Sequence, residues 1–279
     1  MLIITDTDLQ NFRAHLADLE RSGATISKYL HDARTLMEFA PEGIADKAQL
    51  NGFRPWLEAK GLCASSINSM FGAVNQLFAF LGSDLRLRYV KVQRQIYLPA
   101  DRELTKKEYE RLIRAARRKG DERLALLVQT LCAVGLRVSE LRAINVESLS
   151  SGVAEIVNKG KRRTIQIPQS LADVLIPYCR ERGIASGPVF VTRTGKPLDR
   201  SNIWKMLKKL AEAAKVLSQK VFPHNLRHLF ARTHYKQFKD LAGLSDLLGH
   251  SSINTTRIYT ATSGKEERRQ LDQLRLVLG

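Results

Sequence analysis

The chain has 279 residues, ample for two domains, and 44% of them are apolar, which is enough for buried cores. A net charge of +17 with a pI near 10.0 indicates a polyanion-binding protein, with nucleic acid as the first candidate. An anionic membrane surface is disfavoured because we find neither a basic amphipathic helix with aromatic anchors nor an apolar run of bilayer length.

The charge is uneven along the chain. Residues 1–85 carry 7 Lys and Arg against 10 Asp and Glu, so the positive charge belongs to the remainder. The N-terminus lacks the basic region of a signal peptide, and the three cysteines match no disulfide or zinc spacing. The sequence therefore predicts a cytoplasmic protein.

Apolar residues at three- and four-residue spacing predict four short helices at the N-terminus. Short connections between them favour a small bundle. The predicted helices cover 6–21, 24–40, 46–60 and 64–82.

A basic stretch, 86–103, follows the bundle and contains Pro99, so we expect an interdomain linker there. From 104 onward the pattern is again helical, beginning with a capping pattern at Thr105 and Glu108 and continuing in a long helical stretch over 121–143. Two β-rich runs, Val153–Val157 and Thr164–Ile167, predict one hairpin. Further helices are predicted at 170–182, 200–215, 224–237, 240–248 and 266–278. The fold class is thus mainly α with a small antiparallel sheet, in an N-terminal domain 1–85 and a C-terminal domain 104–279.

Common cofactor and metal signatures are missing from the sequence. We find no P-loop, no GxGxxG, no HExxH and no Asp/Glu cluster of the two-metal kind. The sequence therefore predicts no cofactor and no metal. Phosphoryl transfer without metal requires cations and hydrogen-bond donors from side chains.

Four segments supply such groups. "AVGLRVSELRAINV" presents Arg137, "VNKGKRRTI" presents Lys159, "FPHNLRHLFA" presents His224 and Arg227, and "LLGHSSINTTRIYT" presents His250 and Tyr259. Taken singly, each has an ordinary alternative as a surface charge, a helix cap or a packing residue. Together they resemble the tyrosine recombinase (integrase) family, most closely the compact bacterial Xer-type recombinases and the integrases or invertases of mobile elements. The resemblance spans nearly the whole chain, and residues 1–85 look like the family's SAM-like core-binding domain.

The resemblance implies a role for each of the six positions. Tyr259 attacks the scissile phosphate and forms a 3′-phosphotyrosyl bond, while Arg137 and Arg227 hold the non-bridging oxygens, which suits planar guanidinium groups. Lys159 protonates the leaving 5′-oxygen and His224 accepts the tyrosine proton. His250 hydrogen-bonds a phosphate oxygen.

Neighbouring basic and imidazole residues compete with these assignments. Lys161, Arg162 and Arg163 are alternatives to Lys159, which is preferred because it precedes Gly160 as the family's lysine does. Arg142 is interpreted as structural or DNA-facing, and His228 as a core histidine or a histidine behind the site.

For DNA contact, the resemblance places the helices at 24–40 and 64–82 in major grooves. Hydroxyl, amide and basic side chains on their early turns and in the linker are the candidates, although caps and solvated faces are the alternative. The candidates are Thr25, Lys28, Tyr29, Ser65, Ser66, Asn68, Ser69, Arg86, Arg88, Lys91 and Arg94.

The implied partner is double-stranded DNA with inverted-repeat recombination sites. The resemblance implies that the protein acts in the cytoplasm, in association with the nucleoid. The family also implies a homo-tetramer on two sites, linked by a tail helix from about 265; folding back onto its own domain is the alternative for that helix. The predicted function is site-specific recombination, as integration, excision, inversion or resolution. The competing hypotheses are a relaxing type IB topoisomerase and a non-catalytic DNA-binding regulator.

Overall fold

A computed structural model describes residues 1–92, 102–158, 161–250, 252–256, 258 and 272–274, with the side chains of 158, 161 and 254 left out. The chain divides into two compact units, Met1–Arg94 and Gln95–Gly279. Both are mostly helical, and the only sheet in the described ranges is a two-stranded antiparallel hairpin. This confirms the predicted fold class. The predicted domain limits, 1–85 and 104–279, stay predictions.

Five helices are described in the first unit, where the sequence predicted four. They are α1 (Asp6–Asp18), α2 (Gly23–Phe39), α3 (Lys47–Asn51), α4 (Phe53–Ala59) and α5 (Ala64–Phe80). The expectation of one helix over 46–60 is wrong, because the segment breaks at Gly52. Pro55 has no backbone N–H, so the helical hydrogen bond to the Asn51 carbonyl cannot form and the two turns separate.

Side-chain oxygens fix where the first helices start. The Thr5 hydroxyl and the Asp8 carboxylate form a capping box on α1, and Ser22 accepts from the Thr25 backbone N–H at the start of α2. The apolar faces of α1, α2 and α5 then meet around fully buried residues such as Phe12, Leu36 and Phe78. Burial of aromatic rings of this size dominates the stability of a small bundle.

The segment after α5 is extended and fastened to that helix. The Asn75 side chain pairs with the backbone of Leu87 at 3.0 and 2.8 Å, and the Asn68 side chain pairs with the backbone of Val90 at 2.9 and 2.8 Å. Leu87 is buried between them. The predicted linker therefore begins as a packed segment of the first unit.

The second unit contains the hairpin and eight α-helices within the described residues. The helices are α6 (Lys106–Arg118), α7 (Glu122–Ala133), α8 (Val146–Ser151), α9 (Gln169–Glu181), α10 (Arg200–Ala213), α11 (Pro223–Phe238), α12 (Leu241–Leu248) and α13 (Ile253–Thr256). Short 3₁₀ helices lie at Val138–Ala143 and Ser218–Lys220. The predicted capping box at Thr105 and Glu108 is present on α6.

Helix α7 is the central element of this unit and packs against α6, α9 and α11. Its residues from Leu124 to Val128 are all buried, as expected of a helix covered on several sides. The expectation of one long helix over 121–143 is wrong, since α7 ends at Ala133. Gly135 has a φ of +60°, the left-handed conformation that commonly ends helices, and a Cβ there would overlap the Phe230 ring.

Strand β1 (Val153–Asn158) pairs with β2 (Lys161–Gln166), with Val153 opposite Gln166 and Asn158 opposite Lys161. The hairpin confirms the switch to a two-residue period, although β2 begins three residues earlier than the sequence predicted. Most of the predicted tail helix, 266–278, lies outside the described residues. In the part of the chain that the structure describes, no helix is long and apolar enough to cross a membrane.

Candidate active site

Arg227, on the second turn of α11, lies at the centre of the candidate site and is fully buried. Its Nη1 donates to the Gly135 carbonyl at 2.8 Å, and its Nη2 donates to the Leu248 carbonyl at 2.6 Å. These carbonyls follow α7 and end α12, so one guanidinium joins both helix ends to α11. A buried guanidinium needs such acceptors, because desolvating an unpaired charge is costly.

His250 is the third partner of that guanidinium, with its Nε2 3.0 Å from Arg227 Nη2. A guanidinium only donates, so Nε2 must be the unprotonated acceptor and Nδ1 carries the proton. Nδ1 then donates to the Thr256 hydroxyl at 2.8 Å. Burial and the positive charge of Arg227 lower the pKa of His250 to about 4, which keeps the ring neutral at pH 7.

Arg137 follows the Gly135 turn in an extended conformation. Its Nη1 donates to Glu140 Oε1 at 2.8 Å and its backbone N–H donates to Glu140 Oε2 at 2.9 Å. Its Nη2 donates to the Gly249 carbonyl at 3.3 Å. The side chain remains about one-third exposed, so the same guanidinium also faces solvent.

Glu140 is a site residue that the sequence analysis missed. Its side chain is only 2% exposed, and burial tends to raise its pKa. The hydrogen bonds from Arg137 and Arg163 outweigh that effect and leave the pKa below its ordinary value, so Glu140 is a carboxylate. Its position three residues after Arg137, a capping-box spacing, was the available signal.

Arg163, on β2, is the second missed residue, since the sequence motif presents it only as an alternative to Lys159. Its Nη1 and Nη2 donate to Glu140 Oε1 and Oε2 at 3.0 and 2.9 Å, a bidentate pair. Arg163 and Arg137 thus share one carboxylate, and Arg227 Nη1 lies 4.0 Å from the same group. Three guanidinium groups around one carboxylate leave a net positive site, which suits a phosphodiester anion.

His224 and His228 occupy the first turns of α11, with their ring centroids 4.5 Å apart. Burial lowers the pKa of His224, and the charges of Arg227 and Arg137 lower it further. The more deeply buried His228 has a pKa of about 3, mainly through desolvation. Both rings are therefore neutral at pH 7, and a neutral ring can accept a proton.

The structure brings together four of the six predicted catalytic residues, Arg137, His224, Arg227 and His250. The other two, Lys159 and Tyr259, lie outside the described residues. The described chain reaches the hairpin tip at Asn158 and Lys161. Among the described residues, no group of three or more His, Cys, Asp or Glu is arranged to hold a metal ion.

The predicted DNA-contact residues of the first unit lie at the starts of α2 and α5. Ser65, Ser66 and Ser69 are exposed there, while Tyr29 and Thr25 are partly covered. The linker residues Arg86, Arg88 and Lys91 are exposed, and Arg94 lies outside the described residues.

Lys28 and Asn68, two of the predicted DNA-contact residues, already bind groups from other parts of the first unit. The Lys28 ammonium pairs with Asp32 and donates to the Ser69 carbonyl at 2.7 Å. The Asn68 amide is satisfied by the backbone of Val90. Both residues therefore support the bundle in the free protein.

Basic side chains also line a groove in the second unit, between α6 and the end of α10. The groove has a volume of about 540 Å³, and none of the described residues that line it is acidic. Its basic lining consists of Arg111, Arg114, Arg117, Arg118 and Lys215. This arrangement agrees with the concentration of positive charge beyond residue 85.

Comparison with known proteins gives one consistent result. The phage integrase family model matches residues 102–266. The chain is 32% identical to the tyrosine recombinase XerA of Pyrococcus furiosus over 96% of this chain and 94% of that protein. It is 28% identical to XerC of Pseudomonas entomophila over 91% of each chain.

Solved structures agree at the level of the fold. A lambda integrase dimer bound to a core site matches with a TM-score of 0.72 at 17% identity, covering 92% of this chain and 77% of that one. The recombinase XerH in a post-cleavage complex with its substrate matches with a TM-score of 0.70 at 20% identity, covering 89% and 79%.

Proposed function

This chain belongs to the phage integrase family of tyrosine recombinases, and from that premise we propose a role for each residue of the candidate site. The protein is a site-specific DNA recombinase that acts through a 3′-phosphotyrosyl intermediate. One observation carries the residue assignment: Arg137, Arg227 and His250 converge on one net-positive site. Such preorganised donors stabilise the negative charge of the transition state, in which phosphorus is pentacoordinate.

In the proposed reaction, the Tyr259 oxygen attacks the scissile phosphorus and the bond to the 5′-oxygen breaks. The tyrosine proton passes to neutral His224, and Lys159 gives a proton to the departing 5′-oxygen. Each preorganised donor on the phosphate contributes about 3 kcal/mol to the transition state, or roughly a hundredfold in rate. Since the phosphotyrosyl bond conserves the phosphodiester energy, a 5′-hydroxyl of a partner strand reverses the step and rejoins the DNA.

Arg227 and His250 hold each other in place before DNA binds. We propose that the phosphate accepts from Arg227 and that His250 then turns a ring N–H towards a phosphate oxygen. An anion beside the ring favours its protonated form, opposing the burial that lowers the pKa to about 4. His250→Asn, which keeps a donor, should therefore retain more cleavage than His250→Ala.

Structures similar to this chain that contain DNA support the proposal that its partner is DNA. The DNA-bound lambda integrase dimer supports the proposal that it assembles as a multimer. We propose a homo-tetramer on two inverted-repeat sites, linked by the tail from about 265. Deleting the residues after Gly264 should weaken assembly on paired sites more than binding to one site. An equal loss in gel-shift assays of single and paired sites would contradict this proposal.

We further propose that the exposed serines at the start of α5 and the linker residues Arg86, Arg88, Lys91 and Arg94 contact DNA. The proposed set of DNA-contact residues also includes Thr25, Lys28, Tyr29 and Asn68. To contact DNA, the side chains of Lys28 and Asn68 must leave their partners within the first unit. Action in the cytoplasm, with nucleoid association, accompanies this DNA-binding role.

A nicked suicide duplex carrying the bound site tests the catalytic assignment. The nick lets the cut fragment diffuse away, so the covalent protein–DNA adduct accumulates. Wild-type protein should give an adduct that Tyr259→Phe abolishes, while the control Tyr235→Phe, which removes a hydroxyl elsewhere in the same unit, should keep it. Tight binding without an adduct would favour the regulator hypothesis, and relaxation of supercoiled plasmid lacking any site would favour the topoisomerase.

A further inference from the structure

Glu140 has its full complement of hydrogen bonds. Four donors reach its two oxygens: the Arg137 backbone N–H, Arg137 Nη1 and both terminal nitrogens of Arg163, at 2.8–3.0 Å. A carboxylate offers about four lone-pair positions, so no acceptor remains there for another donor. Arg137 is thereby limited to a single side-chain hydrogen bond with Glu140.

Arg163 supplies two of these four donors from a separate element. It lies on β2 opposite Ile156, and its side chain is 17% exposed. It also packs on the turn before His250, since a Cβ at Gly249 would lie 2.7 Å from Arg163 Cδ. The hairpin thus reaches across to the same carboxylate and the same turn that Arg137 contacts.

We propose that Arg163 is a positioning residue that keeps Arg137 available for the scissile phosphate by occupying half of the Glu140 carboxylate. Arg163 does not itself bind the phosphate in this scheme, because its side chain is only 17% exposed and its two-nitrogen fork faces Glu140. The inference rests on the proposed function and adds a residue that acts through another.

Removal of Arg163 has a definite consequence for its neighbours. Glu140 stays buried, and a buried carboxylate with unfilled hydrogen bonds is costly. Arg227 is fully buried and held by the Gly135 and Leu248 carbonyls, with its Nη1 4.0 Å from Glu140, so it cannot turn a two-bond fork towards this carboxylate. Arg137 is the remaining cation, and its partly exposed guanidinium is free to rotate into a two-bond fork with Glu140. That rotation withdraws donors from the phosphate.

The decisive experiment compares cleavage of two suicide substrates in single turnovers at saturating protein. One has the natural scissile phosphodiester, and the other has a neutral methylphosphonate there, in which a methyl group replaces a charged non-bridging oxygen. The neutral group makes the charge of Arg137 less necessary. The Arg137→Ala variant calibrates how far the second substrate suppresses loss of that arginine.

Arg163→Ala should cleave the phosphodiester about 10²-fold more slowly than wild type, the effect of one lost donor. On the methylphosphonate, the cleavage rate of Arg163→Ala should be within a fewfold of the wild-type rate. Arg137→Ala should show the same recovery on this substrate. Arg163→Lys, which keeps the charge but only one donor group, should show a smaller deficit with the same suppression. Arg180→Ala, which removes an exposed arginine from α9, is the matched control and should cleave both substrates at near wild-type rates.

An equal deficit of Arg163→Ala on both substrates would overturn the inference. A third substrate with a 5′-bridging phosphorothiolate has a better leaving group, and rescue of Arg163→Ala cleavage by this substrate alone would overturn the inference as well. If Arg163→Ala does not fold by circular dichroism, the lysine variant decides by the same ratio. Failure of the wild-type protein to form any adduct would instead refute the proposed function.

Discussion

Substitution of Glu140 by glutamine should cost the second unit much of its stability. Glutamine has nearly the same shape but no charge, so it leaves the two paired guanidinium groups without their shared counter-ion. It also turns an amide donor towards them. Glu140 is 2% exposed and Arg163 is 17% exposed, so solvent screens this loss only weakly.

The magnitude follows from the burial of the carboxylate. Removing one partner from a buried charge pair costs about 3–5 kcal/mol. The partial exposure of Arg137 lets that arginine turn to water, so we expect the lower half of this range, about 3 kcal/mol. For a unit of this size, 1 kcal/mol corresponds to roughly 2–4 °C in Tm, which predicts a decrease of about 6–12 °C.

Thermal and urea unfolding monitored by circular dichroism measure this change. Because the chain has two units, the transition of the second unit must be assigned separately, for example with a fluorescent label on α10. Glu147→Gln is the matched control: this exposed carboxylate accepts from the Gly187 backbone N–H, and its replacement should change the Tm little. A Glu140→Gln transition within 1 °C of wild type would refute the charge network as a source of stability.

The remaining predictions concern pH, the α7 turn and salt. The pKa of His228 is about 3 in the folded protein against an ordinary 6.5, so the stability present above pH 6.5 should be lost as the pH falls from 6.5 towards 3. His228→Asn should flatten the plot of unfolding free energy, measured in urea, against pH over this range. An unchanged slope would contradict burial of His228 as the cause of the pH dependence. Gly135→Ala should lower the free energy of unfolding of the second unit by about 2–4 kcal/mol, measured by thermal unfolding. The φ of +60° is unfavourable for alanine, and the added methyl group overlaps the Phe230 ring. Gly183→Ala, at a similar φ but with open space around it, should be less destabilising. Affinity for a bound site should fall at least ~10²-fold between about 50 and 200 mM salt in fluorescence anisotropy, and near-constant affinity would exclude phosphate neutralisation as the main source of binding.

Most helices were predictable because their determinants are local. The Thr5 and Thr105 capping boxes and the apolar spacing of α2 and α5 depend only on neighbouring residues. The breaks were missed because they depend on proline and glycine inside otherwise helical patterns. Pro55 removes one hydrogen bond from the 46–60 segment, and the end of α7 at Ala133 also reflects the Phe230 ring, which belongs to a distant helix.

The candidate site was predictable only as far as its motifs are distinctive. Arg137, Arg227 and His250 were found as members of separate motifs, and the structure brings them together. Glu140 was missed because its motif was analysed only for the arginine that it presents. Its role depends on Arg163, which is 23 residues further along the chain and reaches it only through the hairpin fold.

Mapping the covalent adduct by mass spectrometry tests the central claim most directly. After trapping on a suicide duplex and digestion with nuclease and trypsin, the nucleotide should be attached to the peptide of residues 258–265, which contains Tyr259 as its only tyrosine. The released strand should carry a free 5′-hydroxyl that a polynucleotide kinase labels without prior phosphatase treatment. An adduct on any other peptide, or a released strand with a 5′-phosphate, would contradict the assignment of Tyr259 as the nucleophile.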